Sequence, residues 1–164
     1  MKLCDYIVNT IQFIIFRSYL MALERTLSIM KPGAIRNRLT GTILQRFEQA
    51  GLVLVGSRVV HLTKEQAEGF YEEHRGKPFF ESLVKFMTSD TILIEVFEAE
   101  DAIASYRKVI GNTDPDIAAP GTIRADFAKS KQENVVHGSD SPASAAREIA
   151  YFFNDDEIFS PVKS

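Results

Sequence analysis

The sequence lacks a second cysteine, any tryptophan and an excess of positive charge. Because Cys4 stands alone, neither a disulfide nor a cysteine-based metal site can form within one chain, which is consistent with a reducing compartment. The formal net charge is −3, whereas a protein that binds nucleic acid mainly by electrostatics carries an excess of lysine and arginine. The composition therefore argues against a disulfide scaffold and against a specific nucleic-acid-binding protein.

Several common site motifs are also absent from the sequence. It contains neither the G-x-x-x-x-G-K-[ST] phosphate loop nor the dinucleotide-binding G-x-G-x-x-G. Its histidines do not have metal-ligand spacing, which argues against a metal site built from protein side chains alone. Any phosphate binding must therefore come from side chains that are separate in sequence.

An apolar stretch near the N-terminus, residues 7–16, is too short to cross a bilayer, which takes roughly 20 apolar residues. Three polar residues interrupt it: Asn9, Thr10 and Gln12. Asp5 and the absence of a clear cleavage site argue against a secretory signal. Two interpretations of residues 1–20 stay open: an extension upstream of a working start at Met21, or an arm that binds a membrane surface or a partner. We expect no membrane association of the domain that follows and a cytoplasmic location.

The rest of the chain has the composition of one ordinary globular domain. The sequence has 164 residues, of which 45% are hydrophobic and 25% charged, enough for one adequate core. No internal repeat or linker divides it. We therefore predict an atypical N-terminal extension over residues 1–20 and a single domain over residues 21–164.

Hydrophobic patterning predicts four strands separated by helices. The predicted strands are residues 26–30, 52–61, 91–97 and 134–137. The predicted helices cover residues 40–50, 100–110 and 122–128, and three more begin at Thr63, Pro78 and Ser141. The order β-α-β-α-α-β-α-loop-β-α predicts an α/β sandwich of the α+β, ferredoxin-like type. It would have a four-stranded antiparallel sheet with helices packed on one face.

Local signals mark several of the predicted helix ends. Thr63 and Gln66 have the spacing of a capping box, and Ser141 precedes a proline suited to the first turn. Gly51 and Gly111 are typical helix stops. The inner stripe of the helix after Thr63 is predicted to contain four residues: Ala67, Phe70, Tyr71 and His74.

The stretch NVVHGSDS, residues 134–141, carries the candidate chemistry. His137 ends a predicted strand, and a neutral imidazole is a competent nucleophile when a partner orients its second nitrogen. Glu148 is a candidate partner, because it lies at the inward edge of the helix that starts a few residues later. Ser139 could support its carboxylate. On spacing alone, a second interpretation is equally open, in which Glu148 pairs with a surface cation and His137 is only a turn residue.

The remaining histidines and cations are weaker candidates. His61, at the end of a strand, is more often structural or exposed, and His74 is more often a semi-buried histidine than a catalyst. Possible phosphate ligands are Lys31, Arg107, Thr113 and Arg124. An isolated arginine is usually a solvated surface residue, so these side chains form a site only if the fold brings them together.

Five motifs between Arg25 and Phe153 occur in the order found in one enzyme family. They are RTLSIMKP at 25–32, EGFY at 68–71, KPFF at 77–80, GTIRADF at 121–127 and NVVHGSDS at 134–141. In these motifs the chain resembles the nucleoside diphosphate kinases. The resemblance implies a ferredoxin-like fold and ping-pong transfer of the γ-phosphate of a nucleoside triphosphate, typically ATP, to a nucleoside diphosphate. Such an enzyme maintains the NTP and dNTP pools.

The resemblance also implies a catalytic role at five positions. His137 becomes the phosphohistidine, Glu148 hydrogen-bonds its other ring nitrogen, and Ser139 lies behind Glu148. Lys31 and Tyr71 are expected near the transferred phosphate and the sugar.

Nucleotide-binding roles follow from the same resemblance. Besides Lys31, the phosphates are expected to contact Arg107, Thr113 and Arg124. Asn134 is expected at the ribose, Phe79 stacked on the base and Leu83 in the same cleft. A stacking site with few contacts to base edges tolerates different bases. Mg²⁺ is expected to arrive with the nucleotide and to bridge its phosphates.

The resemblance further implies a homo-oligomer, either a tetramer or a hexamer, with Pro115 at a position associated with subunit contacts. The chain departs from the family in three places: residues 1–20 have no counterpart in the usual short forms, residues 129–133 are more charged than expected, and the residue after Lys-Pro differs. An acidic residue usually follows Lys-Pro, whereas Gly33 stands here, and we expect this glycine to loosen the turn that positions Lys31.

Two other functions fit the sequence less well. A kinase-like binding or regulatory module would have lost the nucleophile or gained a basic face, and neither feature is seen. A serine hydrolase based on His137 and Ser139 lacks the G-x-S-x-G nucleophile elbow.

Overall fold

The structure is a computed structural model that describes residues 23–161. Four strands within this range form one sheet at its centre. The strands are β1 (Glu24–Met30), β2 (Val53–Val60), β3 (Ile92–Ala99) and β4 (Val136–Gly138). Their order is β2-β3-β1-β4, and every neighbouring pair is antiparallel. The predicted four-stranded antiparallel sheet of ferredoxin-like type is confirmed. The predicted extension, residues 1–20, lies outside the described residues.

Six α-helices surround this sheet in the described part of the chain. They are α1 (Thr40–Gln49), α2 (Lys64–Phe70), α3 (Phe80–Met87), α4 (Ala102–Ile110), α5 (Ile123–Phe127) and α6 (Pro142–Phe152). Short 3₁₀ turns lie at Glu72–His74, Pro115–Ile117 and Asp155–Glu157. Within residues 23–161, none of the helices has the length and hydrophobicity that a membrane crossing requires.

The helices cover both faces of the sheet, so the prediction that they lie on one face is wrong. The central strands β1 and β3 are buried along almost their whole length. Leu27 and Ile29 face one core, which includes residues of α2, α3 and α6. Met30 faces a second core with Phe47 of α1 and Tyr106 of α4. Because β3 carries apolar residues on both of its faces, both faces of the sheet have to be covered.

The segment between β2 and β3 differs most from the sequence prediction. The capping box at Thr63 is confirmed, since its Oγ1 accepts from the Gln66 amide at 3.2 Å while the Gln66 side chain accepts from the Thr63 amide at 2.9 Å. However, α2 ends at Phe70, so the predicted stripe reaching His74 is wrong. The helix predicted from Pro78 begins at Phe80. Between the two helices Gly76 adopts a φ of 83°, which a continuous right-handed helix cannot contain.

The last strand and helix bring the candidate residues together. Ser141 is the N-cap of α6, with its Oγ accepting from the Ser144 amide at 3.1 Å, and Pro142 occupies the first turn as predicted. The strand β4 begins at Val136 rather than at residue 134, because Val135 has a φ of 70°. Since α6 follows β4 directly and packs against β1, Glu148 lies beside His137.

Candidate active site

The centre of the site is a chain of three side chains on β4 and α6. The Nε2 atom of His137 lies 3.0 Å from Oε2 of Glu148. The Ser139 hydroxyl donates to the same oxygen at 2.7 Å and accepts from the Leu27 amide at 3.1 Å. The structure therefore brings together the three residues that the sequence suggested, and a buried carboxylate fixes the orientation of the imidazole.

The carboxylate of Glu148 is held in its charged form although it is almost fully buried. Burial alone would raise the pKa of this group. The hydrogen bond from His137, the charge of that ring, the Ser139 hydroxyl and the Arg147 charge together lower the pKa below its ordinary value. Arg147, which sequence reasoning missed, lies with Nη2 3.7 Å from Oε1 of Glu148 and 3.0 Å from Oε2 of Glu73.

Aromatic rings border His137 on the side of α2. The ring of Phe70 meets the imidazole edge-on at a centroid distance of 5.5 Å, and that of Tyr71 does so at 6.3 Å. The Tyr71 hydroxyl is buried without a hydrogen-bond partner among the described residues. Burial, and then the negative charge of Glu148, raise the pKa of Tyr71, so this group stays a neutral phenol.

From Tyr71 a row of rings leads toward the surface. His74 lies over Tyr71 at 6.1 Å, and Phe79 meets His74 at 5.5 Å. Phe79 is 49% exposed, so a large part of its ring is open to solvent, whereas Leu83 is mostly buried in the core. His61, the third histidine, is outside this row and binds the Thr88 carbonyl through Nε2 at 2.8 Å.

Lys31 supplies a buried amine at the end of β1. Its side chain forms no salt bridge within residues 23–161, and burial followed by the nearby Arg124 charge lowers its pKa to about 7. The backbone of Lys31 is fixed, since its amide donates to the Val135 carbonyl at 2.8 Å. The turn after it is closed by a bond from the Asn37 amide to the Gly33 carbonyl at 2.8 Å. Gly33 has a φ of 94°, a backbone conformation that glycine adopts without strain.

Arg124 provides a second buried cation beside the main chain of the site. Its Nη2 donates to the Val136 carbonyl at 2.9 Å and its Nη1 to the Gly111 carbonyl at 2.9 Å, with Thr113 Oγ1 at 3.4 Å. Burial lowers the pKa of Arg124 to about 10, with Tyr106 acting to raise it and the Arg107 charge to lower it. Arg107 and Thr113 are exposed. The fold therefore brings these three predicted phosphate ligands into one region.

The main chain just before His137 is strained. The Val136 amide donates to the Asn134 carbonyl at 2.8 Å, across Val135 with its φ of 70°. This is a γ-turn, and a β-branched residue in this conformation is a rare outlier. Asn134 is buried, donates through Nδ2 to the Lys131 carbonyl at 2.9 Å, and leaves Oδ1 without a partner among the described residues. Sequence patterning had no signal for this turn.

Tyr106 on α4 makes a further contact with His137 that sequence reasoning missed. Its hydroxyl donates to the main-chain carbonyl of His137 at 2.8 Å. The only sequence signal was a tyrosine on the inward face of a helix, where its hydroxyl needs a partner. Among residues 23–161, no group of three or more acidic, histidine or cysteine side chains is placed to hold a metal ion.

Comparison with known proteins gives consistent matches over the same region. A family model described as nucleoside diphosphate kinase matches residues 24–158. A nucleoside diphosphate kinase of Psychromonas ingrahamii is 61% identical over 141 residues, which cover 86% of this chain and 98% of the relative.

Solved structures agree with this match. The Aquifex aeolicus nucleoside diphosphate kinase superposes with a TM-score of 0.81 at 45% identity, covering 84% of this chain and 99% of that one. A halophilic nucleoside diphosphate kinase from Halobacterium salinarum in complex with CDP has a TM-score of 0.83 at 40% identity, covering 87% and 95%.

Proposed function

The chain belongs to the nucleoside diphosphate kinase family, and from this premise we propose that His137 is the residue that carries the phosphoryl group. The enzyme transfers the γ-phosphate of a nucleoside triphosphate to a nucleoside diphosphate. The observation that supports the role of His137 is its bond to the buried Glu148, with 3.0 Å between Nε2 and Oε2. This bond places the proton on Nε2 and leaves the lone pair of Nδ1 available for attack.

The two half-reactions use this lone pair in turn. In the first, Nδ1 of His137 forms a bond to the γ-phosphorus while the bond from that phosphorus to the bridging oxygen breaks, and the nucleoside diphosphate leaves. In the second, a terminal oxygen of another nucleoside diphosphate attacks the phosphorus, and the N–P bond breaks. The imidazole becomes more positive in the phosphorylated state, and the carboxylate of Glu148 stabilises that charge.

The phosphates are proposed to bind between Lys31 and the region that contains Arg107 and Arg124. Phosphoryl transfer needs alignment and charge neutralisation more than covalent chemistry from the protein. Lys31, Arg107, Thr113 and Arg124 supply donors and positive charge, and Tyr71 lies beside His137. Mg²⁺ is proposed to enter as part of the substrate, bridging the nucleotide phosphates. The CDP complex of the Halobacterium salinarum relative supports a nucleoside diphosphate as one substrate.

The nucleoside is proposed to bind toward the surface. Phe79 is half-exposed and suited to stack on the nucleobase, and Leu83 is proposed to line the same cleft. The Oδ1 atom of buried Asn134, which has no partner among the described residues, is suited to a ribose hydroxyl. Because stacking does not read base edges, we expect broad nucleotide use.

Assembly and location are further parts of the proposal. A homo-oligomer, tetramer or hexamer, is supported by the edge strand β2, which exposes three apolar residues: Val53, Leu54 and Val59. Exposed apolar edge strands are usually covered. Sedimentation velocity of the full chain measures this assembly directly.

A cytoplasmic location is supported by the single cysteine, and cell fractionation tests it.

The phosphoenzyme is the critical test of the proposed mechanism. Incubation with γ-labelled ATP and Mg²⁺, without acceptor, should give an acid-labile label on the protein. The His137→Ala variant should take up none, while the matched control His61→Ala should label like the natural sequence. A label that persists in His137→Ala, or no label on the unaltered protein, would overturn the proposal.

A further inference from the structure

A buried acid in the middle of β3 has no role in the mechanism described above. Glu95 is fully buried, and it lies opposite Ser28 in the β1–β3 register. Its Oε2 lies 2.8 Å from the Ser28 hydroxyl oxygen, while its Oε1 has no hydrogen-bond partner among the described residues. No ion pair involves Glu95 in the described part of the chain. A carboxyl group in such a place is costly to bury in its charged form.

The contacts of Glu95 continue to the nucleophile. The Ser28 hydroxyl oxygen lies 2.7 Å from the Tyr106 hydroxyl oxygen, and Tyr106 donates to the His137 carbonyl at 2.8 Å. The chain therefore runs from β3 through β1 and α4 to β4. Ser28, Glu95 and Tyr106 are all fully buried, so these contacts lie in the interior of the domain.

Counting protons determines the direction of these bonds. The His137 carbonyl can only accept, so the Tyr106 proton must point to it. Tyr106 then has to accept from Ser28, which uses the only proton of Ser28. The contact between Ser28 and Glu95 consequently needs a proton on Glu95. A charged Glu95 would take the Ser28 proton for itself, and one of the two remaining contacts would be left without a hydrogen.

We propose that Glu95 is a positioning residue for the nucleophile. As a neutral acid it donates to Ser28, Ser28 donates to Tyr106, and Tyr106 holds the main-chain carbonyl of His137. This inference rests on the proposed role of His137 as phosphate carrier. It adds a group that acts on the reaction only through the backbone of the reacting residue, since Glu95 itself does not touch substrate.

The ring of Tyr106 is fixed tightly enough for its hydroxyl to act in this way. It stacks on Phe47 at a centroid distance of 4.6 Å and lies 6.1 Å from Phe97. On its other side it touches Gly138, where an added Cβ would lie 2.2 Å from Cε1 of Tyr106. Because the ring is fixed between these neighbours, the Tyr106 hydroxyl has a defined position at the main-chain carbonyl of His137.

The surroundings of Glu95 favour its neutral form. Burial raises its pKa to about 8, with the Ser28 hydrogen bond acting in the opposite direction. Its neighbours on this face are Ser28 of β1, Ser57 of β2, the apolar Ile43 and Phe47 of α1, Tyr106 of α4 and, beyond Tyr106, the cation Arg124 of α5. As the pH rises through about 8, Glu95 ionises and Ser28 turns its proton to the carboxylate. The Tyr106 proton is then shared between the Ser28 oxygen and the His137 carbonyl, which weakens the hydrogen bond to His137.

The test compares Glu95→Gln with the unaltered protein across pH. A glutamine amide donates to Ser28 as the neutral acid does, but it does not titrate in this range. Phosphoenzyme formation from ATP and Mg²⁺ is followed in a single turnover from about pH 6.5 to about pH 9.5. The two rates should agree within about two-fold at the low end, and at the high end the glutamine variant should be about five- to ten-fold faster, the effect of one hydrogen bond. Taking the ratio cancels the titration of Lys31, which both proteins share.

Two further variants separate positioning from a general effect of the buried acid. Tyr106→Phe keeps the ring but removes the hydroxyl, so it should slow the reaction about five- to ten-fold near neutral pH. In that background, Glu95→Gln should no longer change the pH profile. Glu98→Gln is the matched control, because Glu98 is another buried acid of β3 but bonds Arg25 and Ser160 instead. It should follow the unaltered protein at every pH.

The outcomes are distinct. A constant ratio between Glu95→Gln and the unaltered protein, or an unchanged rate in Tyr106→Phe, would overturn the positioning role. So would an equal effect of Glu98→Gln. If the unaltered protein formed no phosphoenzyme even at low pH, the proposed function would fail instead, and with it the premise of this inference.

Discussion

Glu148 accepts two hydrogen bonds on one oxygen, from His137 at 3.0 Å and from Ser139 at 2.7 Å. A histidine nucleophile needs one nitrogen unprotonated and correctly aimed, and a fixed acceptor at the other nitrogen provides both. Ser139 is itself anchored by the Leu27 amide. The orientation of the imidazole is therefore tied to the central strand β1 rather than to a surface loop.

Replacing Glu148 by glutamine should slow phosphorylation of His137 about 10- to 100-fold, because the side chain keeps its shape but loses the charge that stabilises the more positive imidazole. Rapid mixing with labelled ATP measures the rate. Glu73→Gln is the control, since this exposed acid also pairs with Arg147 and should change the rate by less than about two-fold. Equal rates for Glu148→Gln and the unaltered protein would contradict the orienting role.

Lys31 leads to a prediction about protons. With a pKa of about 7, its amine is mostly neutral at about pH 8 in the free protein, and a bound phosphate raises that pKa by its negative charge. Binding of ADP and Mg²⁺ near pH 8 should therefore take up a proton, with a stoichiometry approaching one. Calorimetry in buffers of different ionisation enthalpy measures the uptake.

The uptake should shrink at about pH 6, where Lys31 is already charged before binding. The uptake should disappear in Lys31→Met. This variant should still bind the nucleotide, but with lower affinity than the unaltered protein. Proton uptake of the same size in Lys31→Met would show that another group responds to the phosphates.

At the scale of elements, the contact between α4 and β4 depends on one glycine. A Cβ at Gly138 would lie 2.2 Å and 2.5 Å from two ring atoms of Tyr106, and the ring is held by Phe47 and Phe97. Gly138→Ala should therefore lower the free energy of unfolding by about 2 to 3 kcal/mol and slow phosphorylation of the neighbouring His137. Denaturant unfolding and the labelling rate measure the two effects.

Gly41 on α1 is the matched control for this substitution. No atom lies within 4 Å of a Cβ added there, so Gly41→Ala should leave the protein as stable or stabilise it by up to about 1 kcal/mol. Shortening the neighbour should relieve the clash, so that Gly138→Ala costs less when combined with Tyr106→Ala than it does alone. Equal stability of Gly138→Ala and the unaltered protein would contradict close packing of α4 on β4.

Elements with local signals could be predicted from the sequence. The capping box at Thr63 and the N-cap at Ser141 each satisfy backbone donors a few residues away, so a short window contains the necessary information. The end of α2 at Phe70 and the start of α3 at Phe80 have no comparable caps. Their limits depend on packing against the sheet, which a short window does not contain.

The candidate site shows the same division. The nearness of His137 and Glu148 follows from β4 leading directly into α6, and sequence spacing could suggest it. The contacts between Ser28 and Glu95, 67 residues apart, and between Tyr106 and Ser28, 78 residues apart, exist only once the sheet order is set. A glutamate within the apolar run of β3 was visible in the sequence, but its partner was not.

At the scale of the whole molecule, the segment after α6 closes one side of the sheet. The Phe159 amide donates to the Val55 carbonyl at 2.8 Å, and Glu157 pairs with Arg58 of β2. Ile158 is largely buried in the core. The segment thus ties the edge strand β2 to the last helix.

The two ends of the chain should therefore respond differently to deletion. A protein starting at Met21 should keep its melting temperature within about 2 °C and its labelling rate, because β1 begins at Glu24 and the family match begins at residue 24. A protein ending at Asn154 should lose about 2 to 4 kcal/mol of stability, since it gives up the burial of Ile158 and the bonds to β2. Thermal unfolding compares both with the full chain. A marked loss on removing residues 1–20 would show that they belong to the domain, and an unchanged melting temperature on removing residues 155–164 would contradict the closing role of that segment.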